Sequence, residues 1–599
     1  MRGRAIAREP FPSRALSNFG TGFAFGAQRR MRTLNAFAAM IREYCTSILV
    51  AALLVCTQII GLASEAAEPE RPALRPEGRR LDQPAGPPSS FAGSGLDERV
   101  DPSEGAARQS RFRRHVMVVV WDGMRPDFVT KQNTPTLWRL AQEGVTFRNH
   151  HAVYPSATNV NGTALVTGVY PGHGGIMANH QYRPEIDPRR SIDVETAEVV
   201  QKGDELSAGK YISRPTIAEL VQHSGGRTAI ATAKTVGLLL DRQVDPSNAK
   251  DCVTLFAGAS RPRKVLKSIV AALGPFPSQH LQQDTWTTKA LKDFLWKDGV
   301  PSFSILWLGE PDLTEHESAP GAPPALAAIK AADENLATAL SALDRHHART
   351  ATDVLVVSDH GFSTIEWSVD VRKILTDAGF KVKTEFNEEP KPGDIMLAGN
   401  GGSVLFYVIG HDATVIRPLV EFLQQSDFAG VIFTKQPMDG TFALEQAKID
   451  GEHAPDIVMA FRWNDSKNQF DLPGMIDADW QRAAGKGTHA TLSRFDMHNM
   501  LIAGGPDFRR GHTDDLPSGN VDLAPTILHI LGITPSQQMD GRILSEVMTN
   551  ANIPKTNPQM ETLEAAKDFA TGSWQQSLKI SRVGSTIYFD EGNGRFVPK

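Results

Sequence analysis

The chain has 599 residues, is 41% hydrophobic and 22% charged, and carries a formal net charge of −5. That composition excludes a wholly disordered chain and is large enough for one big core plus an accessory subdomain. The acidic balance excludes a general nucleic-acid binder, which needs a surplus of Lys and Arg for phosphate contacts, so no nucleic-acid-binding module is expected.

The first feature along the chain is the apolar stretch TSILVAALLVCTQIIGLA at residues 46–63, preceded by Arg42 and followed by Ser64, Glu65, Ala66 and Ala67. A basic flank, an apolar run and small residues are the layout of an export signal, and the flank begins naturally at Met31. Residues 1–67 are therefore expected to be a leader, and the mature chain to be periplasmic or extracellular. The alternative is an uncleaved membrane anchor, because the apolar stretch approaches spanning length. Removing the leader takes away eight Arg and three acids, so the formal charge goes from −5 to −10. It also removes Cys45 and Cys56, leaving Cys252 without an internal disulfide partner. Positive charge for an anionic substrate must then be local. Residues 68–111, dense in Pro, Arg, Glu, Gly and Ser, are expected to be a disordered linker.

From His115 onward, short β-branched runs alternate with amphipathic stretches, the pattern of an α/β fold with a mostly parallel central sheet flanked by helices. Core strands are expected at 116–121, 304–308, 354–357 and 499–503, and helices at 136–143, 159–167, 325–344 and 521–531. Between 367 and 484 the texture changes: SVLFYVIG, TVIRPLVEFLQQ, GVIFTK and DIVMAFRW read as strand, helix, strand and strand. This stretch is expected to be an inserted α+β lid subdomain within a catalytic domain spanning 112–548. Residues 549–599 form a C-terminal tail, with a hairpin expected in STIYFDEGNGRFV.

The chemistry gathers where strands end. In open α/β sheets ligands bind beyond the carboxyl ends of the strands, where Asp122, Asp312, Asp359 and His360 fall. Carboxylates mixed with imidazoles suit zinc-like divalent ions, which accept both nitrogen and oxygen ligands. Asp312 and His316 are four residues apart and share one face of a helical turn. Asp359 and His360 are adjacent at a strand exit, from which both can reach one ion. Thr158 heads NVNGTALVTG, and the N-terminus of such a helix favours an anionic phosphoryl group. A threonine there is otherwise an ordinary N-cap. His489, in GTHA, competes with His453, His498 and His512 as a further ligand.

Five segments in order, WDGMRPD, YPSATNVNGTALVTGVYPGHGGI, EPDLTEHESAPG, SDHGF and GKGTHA, resemble the motifs of the nucleotide pyrophosphatase/phosphodiesterase branch of the alkaline phosphatase superfamily. The resemblance covers roughly residues 112–545. It implies an alkaline-phosphatase-like fold, two zinc ions and hydrolysis of phosphate esters or anhydrides in a small phosphorylated substrate. It further implies that Asp312, His316 and His489 hold one ion. Asp122, Asp359 and His360 would hold the other, which Thr158 touches as the nucleophile of a phosphothreonine mechanism. Asn161 is matched to the family asparagine that donates to a phosphoryl oxygen. Asn159 stands where the family has a phenylalanine that stacks on a nucleobase. Lys234, in ATAKTVGLLLD, resembles the lysine with which phosphonoacetate hydrolases grip a carboxylate, and is a candidate substrate-binding residue. A phosphonoacetate-hydrolase-like enzyme or a phosphomonoesterase is therefore the alternative within the superfamily. An inactive metal-binding protein is the alternative outside it.

Overall fold

The computed structural model describes residues 114–242, 251–549 and 557–599. The expected leader and linker lie outside the described residues. Among the described residues, no helix is long and apolar enough to cross a membrane.

The centre of the molecule is a nine-stranded sheet in the order His512–Asp514, Val145–Phe147, Leu501–Gly504, Thr352–Val357, His115–Trp121, Phe303–Leu308, Thr228–Thr232, Val253–Phe256 and Ala259–Arg261. The middle strand HVMVVVW runs parallel to both neighbours, with Val119 opposite Val356 on one side and Leu306 on the other. Its side chains alternate between two cores. Met117, Val119 and Trp121 join Ile329, Leu336 and Trp286 on one face. Val116, Val118 and Val120 join Leu165, Ile217 and Ile527 on the other. Burial on both faces explains why this strand reads as an unbroken apolar run, as buried parallel strands do. Helices Pro135–Glu143, His280–Ala290 and Pro323–Arg345 cover the first face. Thr158–Thr167, Ile217–His223 and Leu523–Ile530 cover the second.

The sheet is mixed at its flanks, where Leu501–Gly504 runs antiparallel to Thr352–Val357 and Ala259–Arg261 antiparallel to Val253–Phe256. Thr228–Thr232 is a central strand that the sequence leaves unmarked, being only five residues of Thr, Ala and Ile. It pairs in parallel with Phe303–Leu308 and delivers Lys234 to the same end of the sheet as Asp122.

A second, six-stranded sheet is built from Val382–Lys383, Ile395–Gly399, Ser403–Val408, Ile457–Phe461, Ala429–Thr434 and Phe442–Ala443, with the helix Ala413–Gln424 packed on it. The C-terminal residues make a third sheet of three long antiparallel strands, Gln559–Phe569, Gly572–Val583 and Thr586–Pro598. The segment expected to be a hairpin is instead one strand. Its Gly592-Asn593-Gly594 run sits within the ladder opposite Leu578, Ser577 and Gln576, and a bulge between Lys579 and Ile580 takes up the irregularity. This sheet leans on the second one. The Gln576 carboxamide accepts from Ile432 N and donates to Ile432 O, and Trp574 is fully buried, donating from Nε1 to Gly440 O at 2.9 Å.

Trp574 belongs to the buried cluster that also contains Leu423 and Phe461, so Trp574→Ala opens a large cavity and is expected to destabilise the folded chain by about 3–5 kcal/mol. A urea melt followed by tryptophan fluorescence and circular dichroism checks this. A midpoint equal to that of the parent chain would mean that the third sheet does not contribute to the fold.

Candidate functional site

Three parallel strands end side by side, and their exits are tied together. Asp122 N donates to Leu308 O at 3.3 Å, and Asp312 N donates to Asp122 O at 3.0 Å. This brings Asp122, the Gly309–Asp312 turn and the Asp359–His360 pair to one place. Gly123 makes the approach feasible. Its φ is +73°, and a Cβ there would lie 2.9 Å from the Phe362 ring and 3.1 Å from Asp312 Cβ, so only glycine fits. Its N–H donates to Asp359 Oδ1 at 3.0 Å, as does the N–H of His360.

Each of the three carboxylates is held by one oxygen and bare at the other. Asp122 Oδ2 accepts from Trp307 Nε1 at 2.8 Å and pairs with Lys234 Nζ at 3.0 Å. Asp312 Oδ2 accepts from the same Lys234 Nζ at 3.0 Å. Asp122 Oδ1, Asp312 Oδ1 and Asp359 Oδ2 are buried and accept no hydrogen bond. Buried polar atoms without partners are rare in folded proteins, and three in one place point to a missing electrophile.

The histidines show the complementary arrangement. His316 Nδ1–H donates to Gly487 O at 3.0 Å, His360 Nδ1–H to Gly361 O at 2.9 Å, and His489 Nδ1–H to Ser156 O at 2.8 Å. A carbonyl only accepts, so in all three rings Nδ1 carries a proton, and in a neutral ring Nε2 then has the lone pair. Those lone pairs meet the bare oxygens. His316 Nε2 and His489 Nε2 lie 3.3 and 3.5 Å from Asp312 Oδ1, and His360 Nε2 lies 3.6 Å from Asp122 Oδ1 and 3.2 Å from Asp359 Oδ2. Two donors bound tetrahedrally to one zinc-class ion at about 2.1 Å stand roughly 3.4 Å apart, so these separations match the edges of coordination polyhedra. The donor atoms form two groups, Asp122 with Asp359 and His360, and Asp312 with His360 and His489, each within 4.8 Å. His360 belongs to both, and its ring stacks on His489 at 3.7 Å between centroids.

Electrostatics require added positive charge. Three buried carboxylates face one lysine. Burial, reinforced by the neighbouring Asp359, drives Asp122 well above the usual carboxylate range, and burial brings Asp359 up to about 7. Asp312 is equally buried, yet the Lys234 ammonium holds it well below that range. Burial keeps His316 low, and burial with the adjacent His360 holds His489 far below its ordinary value, so both rings stay neutral. Uncompensated buried charge costs several kcal/mol per ion, and divalent cations among these oxygens remove that cost. The donor set therefore fits metal ions.

Thr158 is buried at the first position of the helix Thr158–Thr167, whose N-cap, Ala157, supplies no side-chain cap. Its Oγ1 lies 3.2 Å from His360 Nε2, so the hydroxyl abuts the histidine common to both donor groups.

Two sequence expectations change. Asn161 does not face the site. Its Oδ1 accepts from Val153 N at 2.7 Å and Asn520 Nδ2 at 3.0 Å, and its Nδ2 donates to Val153 O and Ala157 O, both at 3.1 Å. Both N–H bonds are committed to the backbone, so none is left for a phosphoryl oxygen, and Asn161 instead braces the turn before Thr158. A second carboxamide near Thr158 is that of Asn179, whose Oδ1 accepts from Asn159 N at 2.9 Å. Anchored by its oxygen next to Thr158, Asn179 has its NH2 available for an anion. The only signal in the sequence was an asparagine after the GHGGIMA loop, with no local spacing to tie it to Thr158. Lys234 reaches the site, but it does not project as a free cation for a substrate carboxylate. Two of its N–H groups are directed at Asp122 and Asp312, so it bridges two carboxylates and orients them.

The family model described as type I phosphodiesterase/nucleotide pyrophosphatase matches residues 116–464. Among curated proteins, the chain is 24% identical to a venom phosphodiesterase of Macrovipera lebetinus over 74% of its own length and 46% of that protein's. It is 23% identical to the bis(5'-adenosyl)-triphosphatase enpp4 of Xenopus laevis, over 70% of this chain and 78% of the relative. The chain thus spans less than half of the venom enzyme it matches. Among solved structures, murine ectonucleotide pyrophosphatase/phosphodiesterase 5 superposes with a TM-score of 0.51 at 17% identity, covering 73% of this chain and all of that one. That likeness establishes the fold, α/β with an alkaline-phosphatase-like central sheet. With more than half of its length matched by the family model, this chain belongs to the type I phosphodiesterase/nucleotide pyrophosphatase family of hydrolases.

Proposed function

We propose that the chain hydrolyses phosphate diesters or pyrophosphates through a phosphothreonine intermediate at Thr158, with two zinc-class ions held by the six Asp and His side chains. The observation that carries this reading is the position of Thr158 Oγ1, 3.2 Å from His360 Nε2, at the first residue of a helix and beside three bare carboxylate oxygens. Asp122, Asp359 and His360 would hold one ion, and Asp312, His316 and His489 the other. Divalent ions bound there would favour the ionised hydroxyl and neutralise charge on the phosphoryl group and leaving oxygen.

The chain's own residues supply the rest. The Thr158 oxygen bonds to phosphorus as the bond to the leaving group breaks, and water then attacks the phosphothreonine and frees the hydroxyl. The helix N-terminus and the Asn179 NH2 stabilise the phosphoryl oxygens. Phe362, fully buried against His316 and His489, fixes the rings from behind. Diesters and pyrophosphates are favoured by the relatives' activities. Asn159 is buried, with its N–H on Asn179, so no aromatic platform follows the nucleophile, and a nucleobase is not part of the proposed specificity. Export fits both the N-terminal apolar segment and the relatives named as venom and ectoenzymes.

Thr158→Ala is expected to lower kcat on bis(p-nitrophenyl) phosphate by on the order of a thousandfold or more, with zinc content retained. A variant rate within about tenfold of the parent would remove Thr158 as the nucleophile. Trp307→Phe keeps the buried ring but deletes the N–H on Asp122 Oδ2. Chelator competition should show zinc bound about tenfold more weakly at one site. Unchanged affinity would mean that Trp307 does not orient a ligand. Dialysis against EDTA should abolish turnover and added zinc restore it, whereas full activity in the stripped protein would contradict a metal-dependent reaction.

A further inference from the structure

Apart from the site above, one further cluster of metal-ligating side chains stands out among the described residues. His151, His498 and Asp590 offer donor atoms that all lie within 4.8 Å of one another. They come from three distant parts of the chain. His151 ends the short strand His150–His151, His498 closes the helix Arg494–Met497, and Asp590 belongs to the last strand, Thr586–Pro598. His151 and His498 form an antiparallel backbone bridge, which sets their side chains next to each other, with ring centroids 4.5 Å apart.

The hydrogen bonding around His151 leaves one position open. Its Nδ1–H donates to Ser518 O at 2.9 Å. Its Nε2 therefore carries a lone pair when the ring is neutral, yet it faces the Asp590 carboxylate Oδ1 at 3.0 Å. Two acceptors facing each other need a cation between them. A proton would satisfy that one pair and leave His498 out, although its ring makes no side-chain hydrogen bond among the described residues and is mostly buried. A divalent ion satisfies all three groups at once. Asp590 is already fixed for that role, since Ser581 Oγ–H donates to its carboxylate at 2.8 Å. Tyr588 stacks on the His151 ring at 5.6 Å and shields its face. Burial pushes His498 down to about 3, so its ring stays neutral and able to donate a lone pair at any physiological pH.

We propose that His151, His498 and Asp590 form a metal site separate from the catalytic one, which takes a zinc-class divalent ion and fastens the C-terminal sheet to the core beside the nucleophile. Two imidazoles and one carboxylate are a donor set that zinc and its first-row neighbours accept. Because Asp590 is contributed by the last strand and His151 lies seven residues before Thr158, the ion would link folding of the C-terminus to the stability of the segment that carries the nucleophile.

The test uses the full chain with its catalytic groups disabled by Asp122→Asn and Asp312→Asn, equilibrated with zinc and assayed for bound metal by plasma mass spectrometry. One zinc per chain should remain, and adding either Asp590→Asn or His498→Gln should remove it. Zinc should raise the melting temperature of the disabled chain by several degrees and leave that of the triple variants unchanged. Circular dichroism checks that each variant folds. His498→Gln, at a partly exposed position, decides the matter if Asp590→Asn does not fold. No zinc in the disabled chain, or zinc unaffected by both further substitutions, overturns the proposal. Because the disabled chain and the triple variants share the same two catalytic substitutions, a difference in zinc between them reports on this cluster and does not depend on whether Thr158 is the nucleophile.

Discussion

The site depends on a surplus of buried negative charge that the protein itself does not neutralise. Asp122, Asp312 and Asp359 are withdrawn from water, and one lysine answers them. A low-dielectric interior accepts this only if further positive charge is supplied, because desolvating an unpaired carboxylate costs far more than a hydrogen bond returns. The division within each carboxylate is the structural expression of that constraint. One oxygen is fixed by Lys234, Trp307 or the backbone of Gly123 and His360, while the other is bare and lies 3.2–3.6 Å from an imidazole lone pair. The fixed oxygens set the direction of the bare ones.

The fold exists around this arrangement in a specific sense. Parallel strands bring their carboxyl ends to one edge, and the buried run HVMVVVW is central because it is apolar on both faces. The two strands beside it place Asp312 and Asp359 across from Asp122 without long connections. The turn at Gly123 then needs a positive φ, and the ring of Phe362 closes the space a side chain would have taken. Lys234 arrives from a fourth strand, so the charge balance of the site depends on an element outside the three that carry its carboxylates.

The strands at 116–121, 304–308 and 354–357, with Asp122, Asp359 and His360 at their exits, were legible because a doubly buried strand leaves an apolar run that ends on polar residues, whereas the central strand Thr228–Thr232 left no such run. Four of the six helices that cover the sheet were legible within a few residues, whereas His280–Ala290 and Ile217–His223 were not. What the sequence hid was tertiary. Asn161 sits one helical turn from Thr158 and has the right chemistry, but its carboxamide bonds back to Val153 and Ala157. Asn179, in a separate loop, comes next to Thr158 through its bond to Asn159 N, a contact that no local spacing announces. Lys234 reads as a free cation until the folded chain shows both carboxylates it bridges. The last strand hid its nature because Gly592 and Gly594 suggest a turn, whereas close packing against Leu578, Trp574 and Gly430 is what excludes larger side chains there.

The claim on which the account turns is that the bare oxygens and lone pairs hold two ions. Diffraction from zinc-equilibrated crystals, recorded on both sides of the zinc absorption edge, tests it directly. Two anomalous peaks are expected at the strand ends, one among Asp122, Asp359 and His360 and one among Asp312, His316 and His489. No anomalous signal there, with the carboxylates paired only with Lys234 and the histidines, would contradict it.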